Sequence, residues 1–165
     1  MNRAVCLLVA FLAACTGGSR PLPTPPAGVA SLAVAPVKNE TGNALAIAGD
    51  TYVGRWIGRQ KRAVPDEITR NLEAELRDRG FAVGGAGVPS LQIVLKRFDP
   101  DQPALAYVSV ALTASLVDAD GTVRWSGERT NWLVSTAGAV SLEDAYESAS
   151  RSVARGVVDG WQPAH

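Results

Sequence analysis

Tyr107-Val108-Ser109-Val110-Ala111-Leu112-Thr113-Ala114-Ser115-Leu116-Val117 alternates larger apolar residues with small ones, and Asp118-Ala119-Asp120-Gly121 follows it directly. Successive side chains of an extended chain point to opposite faces, so Val108, Val110, Leu112, Ala114 and Leu116 share one side and Ser109, Thr113 and Ser115 the other. One side is buried and the other is wet, the signature of an antiparallel sheet packed on a single face. Asp118 to Gly121 then predicts a hairpin turn into a second strand, Thr122 to Val134. Within that strand Val123 and Trp125 share a parity that Trp132 and Val134 do not, so a bulge is expected near Gly127.

Working outward, Leu91 to Phe98 predicts a strand with Leu91, Ile93 and Leu95 on one side, preceded by a Gly84 to Pro89 turn and a short strand at Phe81 to Val83. Further upstream, Pro65 in a first helical position, Asp66 and Glu67 in the first turn and Gly80 past the end frame a helix with Ile68, Leu72 and Leu76 on one stripe. Val29 to Val37, closed by Pro36, predicts a buried first strand, and residues 38 to 63 read as a long polar, Gly-rich loop. At the other end, Ser141-Leu142-Glu143-Asp144 is an N-cap with a capping box, and Leu142, Ala145, Ala149, Val153 and Val157 form an apolar stripe ending near Gly160. The order predicts an α+β sandwich of two layers, a mixed, mostly antiparallel sheet of four to five strands with two helices on one face. No self-similarity at a period of 20 to 50 residues suggests a solenoid.

Composition narrows the function. The chain has 165 residues, 47% hydrophobic and 19% charged, with Lys+Arg and Asp+Glu both 16. Such balance supplies no concentrated basic surface for nucleic acid. Two cysteines, Cys6 and Cys15, and one histidine, His165, are too few for a zinc site, a Cys/His nucleophile or a Ser-His-Asp triad. No metal, cofactor or catalytic set is expected.

The N-terminus carries an address. Arg3 gives a short positive start, and Ala4 to Leu12 is an apolar run of signal-peptide length, too short to span a bilayer. It ends in Leu12-Ala13-Ala14-Cys15, which resembles the lipobox of bacterial lipoproteins; an ordinary signal peptide with an incidental cysteine is the alternative. The resemblance implies cleavage after Ala14, acylation of Cys15 and, from Thr16 in place of Asp, retention at the outer membrane of a Gram-negative cell. Two acyl chains, at about 0.8 kcal/mol per buried methylene, hold stably. Processing removes Arg3 and no acidic residue, leaving a formal charge of −1, so charge would not bind the chain to an anionic surface. Cys6 would leave with the signal and Cys15 would be acylated, so neither a free thiol nor a disulfide is expected in the exported chain. Residues 1–14 are thus expected to be signal, 15–28 a lipidated, Pro/Gly-rich tether and 29–165 one periplasmic domain. Thr16 to Gly28 would reach about 40 Å at roughly 3.1 Å per residue.

Leu72-Glu73-Ala74-Glu75-Leu76-Arg77-Asp78-Arg79-Gly80-Phe81-Ala82-Val83, with Pro89-Ser90-Leu91-Gln92-Ile93-Val94-Leu95, resembles the helix, Arg-Gly-aromatic stop and Leu-Gln-Ile strand of YajG-type lipoproteins. The lipobox and the early Val34 to Val37 strand fit that pattern. The resemblance implies an outer-membrane lipoprotein facing the periplasm, of an architecture similar to LptE, LpoB and the TolB N-terminal domain, and it carries over no catalytic residue.

The binding candidate is Val53-Gly54-Arg55-Trp56-Ile57-Gly58-Arg59-Gln60-Lys61-Arg62, where Arg55, Arg59, Lys61 and Arg62 accompany Trp56 without an acid. Guanidinium forks match phosphates and carboxylates, and an indole offers a stacking face. A solvated loop with Trp56 and Ile57 tucked beneath it is the plainer reading. Asp99/Asp101 and Asp118/Asp120 read as turn-formers, Trp125, Trp132 and Trp161 as packing residues, and Gly84-Gly85-Ala86-Gly87 lacks the lysine of a phosphate loop. These residues predict a membrane-anchored, non-enzymatic envelope module with a protein or cell-wall partner. The alternatives are a lipopolysaccharide- or peptidoglycan-binding protein and, third, a periplasmic hydrolase using carboxylates.

Overall fold

The computed structural model describes residues 21–41, 52–100 and 106–164, with residues 52–62 described by their backbone alone. The elements are β1 (Ser31–Val34), β2 (Lys38–Asn39), α1 (Tyr52–Asp78), β3 (Ala82–Val83), β4 (Ser90–Pro100), β5 (Tyr107–Val117), β6 (Val123–Ser135) and α2 (Leu142–Val157). The strands form one sheet in the order β3-β1-β4-β5-β6, with β2 also paired to β4. β1 runs parallel to β3 and β4, whereas β4, β5 and β6 are mutually antiparallel. The fold is α+β, as the sequence predicts.

The period-two stretch is the central strand of the three long ones. Val108, Val110, Leu112, Ala114 and Leu116 are fully buried and meet Leu91, Ile93, Leu95 and Phe98 of β4 on the same side. Above them lie Val64, Ile68, Leu72 and Leu76 of α1, one residue every fourth, and Ala145, Tyr146, Ala149, Val153, Ala154 and Val157 of α2. Residues four apart lie one above another on a helix, which makes each set a continuous stripe. α1 covers β1 and β3, α2 covers β4 to β6, and the helices pack against each other. The small Ala145, Ala149 and Ala154 keep α2 close to its neighbours.

The first strand is broken by a proline. Ala33 and Val34 pair with Ser90 and Leu91, but Lys38 and Asn39 pair with Val94 and Leu95, so one extra residue is accommodated around Pro36. Pro36 has no N–H to give. The N–H of Val37 leaves the ladder as well and donates to Thr69 Oγ1 at 3.1 Å, while that hydroxyl donates to the Pro65 carbonyl at 2.8 Å. A single side chain thus ties the break in the strand to α1.

Three local expectations need correction. The helix begins at Tyr52, not at Pro65, so Pro65 lies inside it; Asp66 and Glu67 mimic a first turn in sequence, and the apolar stripe before Val64 is too sparse to announce a helix. Part of the expected 38–63 loop is therefore β2 and α1, and its 42–51 portion lies outside the described residues. Asp99 is not in a turn: it continues β4 and pairs with Ser109, whereas Asp101 lies outside the described residues. The bulge of β6 is at Thr130 and Asn131, where Asn131 takes φ 53°, and a second irregularity falls at Arg124. Asn tolerates the left-handed region because its amide bonds locally. The second irregularity separates Val123, 58% exposed, from the side shared by Trp125.

Other signals hold. Asp118 and Gly121 close the β5–β6 turn, the Asp120 carboxylate accepts from Thr122 N–H at 2.9 Å, and Ser141 Oγ caps α2 by accepting from Asp144 N–H at 3.1 Å. That Thr122 bond holds the Asp120 carboxyl below the usual range.

Candidate functional site

Cys15 and the preceding Leu12, Ala13 and Ala14 lie outside the described residues, as does tether segment 16–20. Arg55, Trp56, Arg59, Lys61 and Arg62 belong to the first turns of α1. Their backbone is therefore helical and not an open glycine loop. On a helix, Arg55, Arg59 and Arg62 stand at the i, i+4, i+7 spacing of one stripe.

The rest of the tether is part of the domain. Of residues 21–28, expected to run free, Leu22 to Thr24 lie against the inner side of β6 and Thr24 to Gly28 face the C-terminal segment. Leu22 packs on the core, and Trp125 Nε1–H donates to the carbonyls of Thr24 at 3.1 Å and Pro23 at 3.3 Å. Beneath them is Gly127. A Cβ there would overlap the Pro23 ring and come within 2.9 Å of Leu22 Cδ2. Gly127 is therefore glycine for space, the second meaning of a glycine inside a strand.

Trp125 stands edge-on to Trp161 at 5.3 Å between ring centroids, and Trp161 meets Phe81 at 6.3 Å. The arm meets this aromatic row at Trp125. Val29, buried, ends the arm by accepting from Ala164 N–H at 2.9 Å, and Pro25 lies near Gly160. Between the arm and the C-terminal segment runs an open cleft of about 340 Å³, lined by Thr24 to Gly28, Gly160 and Gln162 to Ala164.

Further along β6, the Arg129 guanidinium sits 3.7 Å over the Trp132 ring. Burial lowers the Arg129 pKa, and the Asp159 carboxylate opposes the shift. Trp132 itself presses on α2 at Gly156. Tyr146, buried against Phe98 at 5.6 Å between centroids, has its phenol pushed up to about 12, by burial first and then by the charge of Asp99. A second hollow, about 140 Å³, lies among Glu67, Arg70, Asn71, Glu147 and Arg151 on the helix layer.

Among the described residues no three His, Cys, Asp or Glu side chains gather to hold a metal ion, and no helix is long and apolar enough to cross a membrane. The arrangement brings together an indole donor, a pair of crossed indoles and a glycine with no room for a Cβ, all on one sheet. Sequence reading named Trp125 and Gly127 for packing and register, and missed that they act together. The available signal was a Pro-rich segment ahead of a strand with Trp and Gly two residues apart on one side.

No family model and no curated protein sequence matches the chain. Solved structures do. A PelC dodecamer from Paraburkholderia phytofirmans is similar at a TM-score of 0.53 and 14% identity, over 87% of this chain and 96% of that one. A leucine-to-methionine variant of the same protein gives 0.53 and 15%, over 88% and 96%. A Xanthomonas campestris protein of family DUF330 gives 0.49 and 18%, over 84% and 88%. At these identities the PelC likeness shows a shared α+β fold.

Proposed function

We propose that the chain is a lipid-anchored module of the bacterial cell envelope, moored at the outer membrane through Cys15 and binding partners in the periplasm without transforming them. The observation that carries this reading is the sequence of Arg3, the apolar run to Leu12 and Leu12-Ala13-Ala14-Cys15, placed just ahead of an arm that enters the fold at Leu22. With Leu22 docked, the seven residue steps back to Cys15 can span at most about 25 Å. The domain would then ride close to the lipid surface. The resemblance to YajG-type lipoproteins supports the same placement.

The cationic turns of α1 support a binding role. A helix N-terminus favours acidic residues, and the first turn of α1 has none, while four cations fall within its first eleven residues. Helix stability does not explain that placement. Four cations near an anionic surface contribute roughly 1 kcal/mol each, which is weak alone but sufficient for a tethered encounter at near-millimolar effective concentration. Phosphates of lipopolysaccharide and carboxylates of peptidoglycan or of an acidic protein share the chemistry required. The PelC structures are of dodecamers, so further copies of the chain stand among the partners to be looked for, by light scattering of the acylated protein.

Replacing Cys15 by Ser tests the anchor. The variant is expected to lose the acyl mass at the mature N-terminus and to leave the membrane fraction, whereas unchanged maturation and fractionation would sink the reading. In-cell crosslinking of the acylated protein then identifies the partner.

A further inference from the structure

We infer that the groove over Trp125, Gly127 and Trp161 is a recognition site for extended, proline-rich peptide, occupied in cis by the chain's own Leu22 to Pro26, and that such a segment of a partner protein enters it when the arm lifts. This inference does not depend on acylation of Cys15.

Three features make the groove a built site. The Trp125 indole N–H is turned to the carbonyls of two successive arm residues, at 3.3 and 3.1 Å. Those carbonyls belong to Pro23 and Thr24, in a segment where Pro21, Pro23, Pro25 and Pro26 fix φ and leave the carbonyl oxygens as acceptors. A preformed extended chain loses little entropy on docking, which is why aromatic-lined grooves with an indole donor suit proline-rich ligands.

The second feature is Gly127. Its φ is not in the left-handed region, and the atoms nearest to an added Cβ are those of the Pro23 ring and Leu22 Cδ2. The third is the indole pair, where Trp125 and Trp161 cross at 87°. Both indoles are nearly buried, 8% and 3% exposed. An arm that merely fell against the domain would need neither the side-chain opening nor the aimed donor.

The arm is also suited to leave. Pro23 and Thr24 are exposed on their outer sides, and no regular backbone ladder binds residues 21–28 to the sheet. Gly28, at φ +81°, marks the corner where the arm joins Val29. From Val29 onward the chain is locked by burial and by the bond to Ala164. The hinge therefore lies at Ala27 and Gly28.

The test uses the full mature chain. In a variant with Leu22, Pro23, Pro25 and Pro26 all changed to Ser, the groove is vacated, and a synthetic Pro21–Ala27 peptide is titrated while indole fluorescence and the Trp125 Nε1–H resonance are followed. Saturable binding below about 1 mM is expected, at least 10-fold weaker to the unmodified chain because the arm competes at high local concentration. A peptide with every proline replaced by glycine should bind at least 10-fold less well. Absence of saturation in a variant with native circular dichroism, or equal binding of the glycine peptide, would overturn the proposal. Should the fourfold variant fail to fold, Gly127→Val in the otherwise unmodified chain decides. It is expected to speed solvent exchange of the Trp125 indole proton at least 10-fold with the fold retained, and an unchanged exchange rate would count against the groove.

Discussion

Gly127 and Gly156 are both glycines because another ring occupies the place of a Cβ. At Gly156 a Cβ would stand 2.5 and 2.6 Å from the Trp132 ring atoms Cη2 and Cζ2 and 3.4 Å from an Arg129 guanidinium nitrogen. Ala is worth about 1 kcal/mol over Gly inside a helix, but overpacking a filled site costs about 1–3 kcal/mol. The ring is also held by the Arg129 guanidinium stacked on it, so packing outweighs propensity. Gly156→Ala is expected to destabilise the domain by about 1 kcal/mol in urea unfolding and to alter its near-ultraviolet aromatic signal. Tyr146 supplies a pH signature. Its phenol ionises at about 12 in the fold and near the ordinary 10.0 when unfolded, so the unfolded chain releases the proton first. Its contribution is complete below pH 10 and is lost as pH rises towards 12. Thermal melts from pH 9 to 12 should show stability falling by about 2 kcal/mol less in Tyr146→Phe than in the unmodified chain.

At the scale of elements, the weak joint is the break between β1 and β2. Pro36 interrupts the ladder, and the freed Val37 N–H is rescued by Thr69 from the helix layer. Thr69→Val keeps the shape of the side chain and removes both of its hydrogen bonds. Leaving a buried N–H unsatisfied costs about 1–3 kcal/mol, and a loss of that size is expected in equilibrium unfolding. Amide exchange at Val37 should rise with it, and unchanged exchange would mean that water replaces the hydroxyl. The elements themselves were largely legible, since β5, β6 and α2 follow from period and caps. The start of α1 was not. Propensity and caps placed it at Pro65, yet the helix runs on through that proline from Tyr52, since a proline followed by Asp66 and Glu67 imitates a helix start in sequence.

For the whole molecule, two attachments meet at one end of the sheet: the arm that leads to Cys15 and the C-terminal segment that follows α2. The arm bonds Trp125, and the C-terminal segment supplies Trp161, which meets Trp125 and Phe81, so the path to the proposed anchor starts beside this aromatic row. The cationic turns of α1 are a separate feature, at the start of that helix. Changing Arg55, Arg59, Lys61 and Arg62 to Gln, which preserves helix propensity, is expected to reduce crosslinked partner by about 10-fold with a shift in unfolding free energy below about 0.5 kcal/mol. A large loss of stability would instead make that segment structural.

Local chemistry in the sequence determined most of the strands, the bodies of both helices, where the hairpin turns and which side of β5 is dry. Those features depend on neighbours a few residues apart, and periodicity records such neighbours directly. Tertiary structure alone decided that Pro21 to Gly28 belongs to the fold, that Gly127 is an opening and not a bulge, and that Thr69 repairs a strand. Each depends on groups 30 to about 100 residues apart in sequence, and no local spacing encodes a contact made only when the sheet closes.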